Sequence, residues 1–188
     1  MINDLALGPA RRRASWGGTL AQELYRYHAG LVANLILIDT YAGWKGSLPE
    51  VEVRARVAGM RQMLASPATE FDPTLPGMFA GGPPAQFVPL LEKMAAGVRR
   101  ESLKRGLSLM AETDQREMLS RIAVPTLLIW GELDVRSPLS VARQFPQAIP
   151  DAKLVVISGA GTCRISSGPS SSTRPCAISA ARTSRDPP

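Results

Sequence analysis

Three short apolar runs constrain this chain most: Leu35-Ile36-Leu37-Ile38, Val124-Pro125-Thr126-Leu127-Leu128-Ile129-Trp130 and Lys153-Leu154-Val155-Val156-Ile157. Each is bounded by polar or turn-forming residues, and none alternates strictly between apolar and polar positions. A continuous run of that length reads as a strand buried on both faces, the habit of a parallel sheet. Parallel neighbours need a crossover connection, which is usually a helix. The stretch from Pro138 to about Ala148 has helical spacing and lies between the second and third runs. Strand, helix and strand with short links form a βαβ unit. The fold class is therefore α/β, a parallel sheet with flanking helices.

The rest of the chain is organised around those runs. A helix is expected just after Ser15, where Leu20, Ala21, Leu24 and Tyr25 recur at helical spacing. Tyr41 to Pro49 is loop-like. Residues 50–121 carry amphipathic helical segments at Val51–Leu64, Gln86–Ala96, Glu101–Met110 and Asp114–Ile122, with no strand pattern between them. They form an expected helical cap inserted into a core of 15–49 and 122–161, with 1–14 as the remnant of a preceding strand. Residues 162–188 hold seven Ser, four Arg and four Pro, and no Leu, Val, Phe or Met. Such a segment cannot bury enough apolar surface to offset its ordering entropy, so a disordered tail is expected.

Charge and composition exclude several function classes. The net charge is +6, but residues 1–14 contribute +2 and 162–188 contribute +3, leaving +1 on the body. A nearly neutral body has no basic face to track phosphates, so nucleic acid is not an expected partner. No apolar run is long enough to span a bilayer, so no membrane partner is expected. The start, Met1-Ile2-Asn3-Asp4, lacks a basic-then-apolar signal pattern, which makes a cytoplasmic location the expectation. Cys163 and Cys176 lie in the tail and do not make a disulfide framework.

Two motifs carry chemistry. Ser15-Trp16-Gly17-Gly18 opens a helix. A serine on a tight strand-to-helix turn projects its hydroxyl above the sheet, and the small residues after it let the backbone bend. The N–H of Trp16 would then face a reacting carbonyl as an oxyanion donor, aided by the helix N-terminus. A plain helix-capping serine is the alternative. Asp134 closes Trp130-Gly131-Glu132-Leu133-Asp134, just past the C-terminal end of a strand, where functional groups of open α/β sheets gather. A carboxylate there can orient a histidine, or simply cap a turn.

These features, together with the strand ending at Asp39 and with Ile157-Ser158-Gly159-Ala160-Gly161, resemble the α/β-hydrolase superfamily, in its esterase, lactonase and haloperoxidase-like branch. The resemblance covers about residues 15–161 and is that of the C-terminal half of the fold. It implies Ser15 as nucleophile, Asp134 as the acid of a Ser-His-Asp triad, a small ester or lactone substrate, and neither metal nor organic cofactor. Oligomeric state is left open. The pattern departs from the family at three places. Arg13 replaces the elbow's first glycine, and the strands before the elbow, with the loop of the second oxyanion donor, are missing. Thr162 stands where the family has its histidine. The polar Arg11-Arg12-Arg13 run is expected to leave the sheet without a strand beside residues 35–38.

The only histidine is His28, nearly four helical turns from Ser15 and expected to have a surface or structural role rather than that of a general base. The abrupt change after Gly161 points to a shifted reading frame. Back-translating Thr162 to Ala180 with GC-rich codons and adding one C in front gives HVSNLERAQQFNAAVRDFC, a histidine followed by an amphipathic helix. Arg11 to Ala14, read one base later, gives Val-Val-Gly. Two functions remain: a serine hydrolase inactive for want of its histidine, and a non-catalytic remnant or binding protein of the same fold.

Overall fold

A computed structural model describes residues 10–65 and 77–162, side chains of 10–14 excepted. Four strands form one parallel sheet in the order β1-β2-β3-β4: β1 Ala10–Ala14, β2 Asn34–Ile38, β3 Thr126–Gly131 and β4 Ala152–Ile157. Leu35 pairs with Thr126 and Ile38 with Ile129, while Thr126 pairs with Ala152 and Gly131 with Ile157.

The expectation that the sheet lacks a strand before Ser15 is corrected by β1. It pairs with β2 from Ala10 opposite Asn34 to Ala14 opposite Ile38. Ladder bonds are made by backbone N–H and C=O groups, which every non-proline residue carries, so a polar composition does not forbid the pairing.

Helix α1, Trp16–His28, returns the chain from β1 to β2 and buries Ala21 and Tyr25 against the sheet. Between β2 and β3 the described elements are helical: α2 Glu50–Ala65, a 3-10 turn Ala85–Phe87, α3 Val88–Ala96, α4 Arg100–Glu112 and α5 Arg116–Leu119. The helix expected over 114–122 is a single turn, because Asp114 accepts the Arg116 N–H and Gln115 N–H turns away to the Ala42 carbonyl. The helix expected over 138–148 is two short pieces, α6 Leu139–Ala142 and α7 Gln144–Ala148.

Leu35, Leu37, Leu128 and Trp130 form the centre of the core with Ile122, Val141, Phe145 and Ile149. Phe145 tilts against Trp130 at 5.6 Å, and the Trp130 indole N–H donates to the Ser137 carbonyl at 2.8 Å. Burial on β2 and β3 is uneven. Leu35, Leu37 and Leu128 are fully enclosed, whereas Ile36, Ile38, Leu127 and Ile129 are half-buried. Among the described residues one face of the sheet is covered more completely than the other.

The disorder expected for 163–188, the Cys163–Cys176 question and residues 1–9 lie outside the described residues. Thr162, assigned to the tail from the sequence, is half-buried and bonded to Asp134. Among the described residues no helix is long and apolar enough to cross a membrane.

Candidate active site

Ser15 occupies the one-residue turn between β1 and α1. Its N–H donates to the Ile38 carbonyl at 2.8 Å, which ties the turn to the end of β2. Its carbonyl accepts from Gly18 N–H at 2.9 Å and from the Thr40 hydroxyl at 2.6 Å. These bonds hold Ser15 at φ 50° and ψ −126°, a left-handed conformation that costs a non-glycine residue about 1–3 kcal/mol. The hydroxyl is exposed and caps nothing, so the helix-capping alternative finds no bond in the structure. The Trp16 N–H, at the first helical position, has no intrahelical acceptor. Gly18 is required by crowding. A Cβ there would stand 2.2 Å from the Thr40 hydroxyl oxygen.

Asp39 and Thr40 at the end of β2 carry the turn across to β3. Asp39 is buried at φ 45° and accepts Gly131 N–H at 2.9 Å. The Thr40 carbonyl accepts the Ser137 hydroxyl at 2.9 Å. Sequence reasoning used Asp39 only as the end of a strand and gave neither residue a role in the site, although a polar pair that ends an apolar run at the C-terminal sheet edge was a visible signal.

Asp134 follows β3 by three residues and is 4% exposed. One carboxylate oxygen, Oδ1, accepts Arg136 N–H and Ser137 N–H, each at 2.8 Å, and the Thr162 hydroxyl at 2.5 Å. The other, Oδ2, has no hydrogen-bond partner among the described residues. The bonds from Arg136 and Ser137 N–H are those of a turn-forming aspartate, the alternative that the sequence offered.

Thr162 reaches Asp134 because the loops after β3 and β4 are laced together. Glu132 N–H donates to the Ile157 carbonyl at 3.0 Å and Leu133 N–H to the Ala160 carbonyl at 2.8 Å. The Glu132 carboxylate accepts the Ser158 hydroxyl at 2.6 Å and Gly159 N–H at 2.9 Å. Those donors favour its charged form and lower its pKa from the usual 4.5. Gly131 permits the approach, since a Cβ there would lie 2.4 Å from the Gly161 carbonyl oxygen.

Ser15, Trp16, Ser137 and Thr162 line one cleft of about 150 Å³, roofed by Leu103, Gly106, Leu107 and Met110 of α4. Tyr41, Trp44 and Arg56 make up another wall of it. The Arg56 guanidinium donates to the Tyr41 hydroxyl at 3.0 Å and to Glu52 at 2.7 Å. Burial raises the Tyr41 pKa, with Arg56 pulling it the other way. Sequence reasoning did not single out this wall.

No family model matches the chain. A curated pimeloyl-[acyl-carrier protein] methyl ester esterase of Vibrio vulnificus is 27% identical over 175 residues, 84% of this chain and 66% of that protein. An esterase from Exiguobacterium antarcticum superposes with a TM-score of 0.66 at 21% identity, over 80% of this chain and 58% of its own. A bromoperoxidase from Bacillus anthracis gives a TM-score of 0.65 at 22% identity, over 81% and 60%. The chain has the α/β-hydrolase fold. It spans just under two thirds of that Vibrio relative.

On this α/β-hydrolase sheet, Ser15 and Asp134 both follow the C-terminal ends of parallel strands, with Thr162 beside Asp134. His28 is exposed at the far end of the 13-residue α1, about 20 Å from Ser15 at 1.5 Å per residue.

Proposed function

We propose that the chain is a serine hydrolase by descent, acting on carboxylic esters or lactones, with Ser15 as nucleophile, the Trp16 N–H as oxyanion donor and Asp134 as triad acid. The observation that carries this reading is the geometry of Ser15. A serine held at positive φ with a free, exposed hydroxyl, at the first turn of a helix and in the wall of a cleft, has no structural task that justifies its strain. Its likeness to esterases in sequence and fold supports the reaction class.

In such an enzyme the serine oxygen attacks the carbonyl carbon while a histidine takes its proton and passes it to the leaving alcohol. Water then cleaves the acyl-enzyme by the same relay. Here the group facing Asp134 is the Thr162 hydroxyl, which is no base near neutral pH. Asp134 hydrogen-bonds to a group that cannot accept the serine proton. The chain is therefore inactive as it stands, and the cause is a single-base frame shift at the Gly161 and Thr162 codons. Loss of the histidine costs on the order of a million-fold in a well-characterised serine protease. A cytoplasmic setting and a small-molecule substrate go with this reading.

The second reading, a non-catalytic binding protein of the same fold, is favoured by one observation: the cleft persists although the relay is broken. Hydrolysis of p-nitrophenyl acetate by the chain and by Ser15→Ala tests the proposal. Equal, background rates are expected. Enzyme-like turnover that Ser15→Ala abolishes would overturn the missing-base account.

A further inference from the structure

The cleft that Ser15 lines also holds a guanidinium with donors to spare. Arg56 sits on α2 with its side chain 22% exposed, and its guanidinium carbon lies 5.7 Å from the ring centres of both Tyr41 and Trp44. The two rings fix its plane and stabilise its charge through their π faces. An arginine has five N–H donors. Nε and one terminal nitrogen bond Glu52, and the other terminal nitrogen bonds the Tyr41 hydroxyl. That leaves one N–H on each terminal nitrogen without a partner among the described residues, in a cleft shared with Ser15.

We propose that Arg56 is a specificity-determining residue that reads a carboxylate carried by the substrate. The inference rests on the hydrolase reading of Ser15 and deepens it, from esters in general to anionic esters. Glu52 offsets part of the guanidinium charge but leaves these two donors open. It is itself part-exposed, lies outside the cleft lining, and engages the edge of the guanidinium that includes Nε. Asp39, the acid that does line the cleft, accepts Gly131 N–H. Arg136, a second cation of the lining, is exposed and serves as the comparison.

Because Trp16 and Trp44 both line the cleft, intrinsic fluorescence reports binding without turnover. The probes are monomethyl glutarate against dimethyl glutarate, with the charge on the acyl side. With the charge on the alcohol side, they are 4-acetoxybutanoate against its methyl ester. The anionic member of at least one pair is expected to bind about tenfold or more tightly, as charge-assisted bonds do. The pair that shows the preference says which side of the ester Arg56 faces. Arg56→Gln should erase the preference, while Arg56→Lys, which keeps the charge, should retain part of it and Arg136→Gln all of it. Equal affinities within both pairs on the unaltered chain would overturn the proposal, whether or not Arg56→Gln folds. So would a preference that survives Arg56→Gln. Absence of any preference on the unaltered chain counts against the Arg56 proposal alone, whereas failure of Ser15-dependent turnover in a frame-restored chain counts against the hydrolase reading alone.

Discussion

At the scale of single residues, the site is held by contacts between turns that are distant in sequence. Gly131 is the clearest case. Its missing side chain leaves room for the backbone of Ala160 and Gly161, and backbone cannot yield as a flexible side chain can. Gly131→Ala is expected to destabilise the fold by about 1–3 kcal/mol, read from urea unfolding, the range for forcing extra atoms into a packed site. Glu132 gives a pH signature. Its pKa is lowered in the folded chain by the Ser158 hydroxyl and Gly159 N–H. A lowered carboxylate pKa means its contribution is present above the unfolded value and lost as pH falls through the folded one. Protection of the Gly159 amide against exchange should therefore hold at neutral pH and fall only once the pH drops below the ordinary glutamate range, and Glu132→Gln should show no such step. Asp134 is picked out in the sequence by its offset from an apolar run, and Ser15 by the Trp-Gly-Gly that follows it where helical spacing begins. Thr40, Glu132 and Arg56 are not, since their roles arise only when the ends of separate strands and the cap come together.

At the scale of elements, the strands at 34–38, 126–131 and 152–157 were legible within two residues, because buried runs leave a pattern that does not depend on partners. The strand at 10–14 left none: its apolar pattern is replaced by arginines and its existence rests on backbone pairing with β2. The helix over 138–148 divides at Arg143, and that over 114–122 shortens to one turn. Local spacing cannot register such breaks, which serve the packing of Phe145 and Gln115. The helical insert is thinly anchored. Met60 is the one buried residue of α2, α3 has none, and α4 has Gly106 and Met110. The amides of α2, α3 and α4 should therefore exchange faster than those of β2 and β3. Slower exchange in these helices than in the strands would contradict the division into core and cap.

At the scale of the whole molecule, an α/β-hydrolase sheet carries a cleft at the C-terminal ends of its strands. Thr162 holds the place beside Asp134, and the backbone that delivers it there is laced to the β3 loop. Substituting Thr162→His alone supplies the ring without the helix that a restored frame would place after it. Its gain should be small compared with restoring the frame. The most direct test is steady-state hydrolysis of p-nitrophenyl acetate by four proteins: the chain as given, the chain with one base inserted ahead of the Thr162 codon, and Ser15→Ala in each. The account predicts background rates for the given chain with or without Ser15, and turnover in the frame-restored chain that Ser15→Ala removes. Ser15-dependent turnover in the given chain, or none in a folded frame-restored chain, would contradict it.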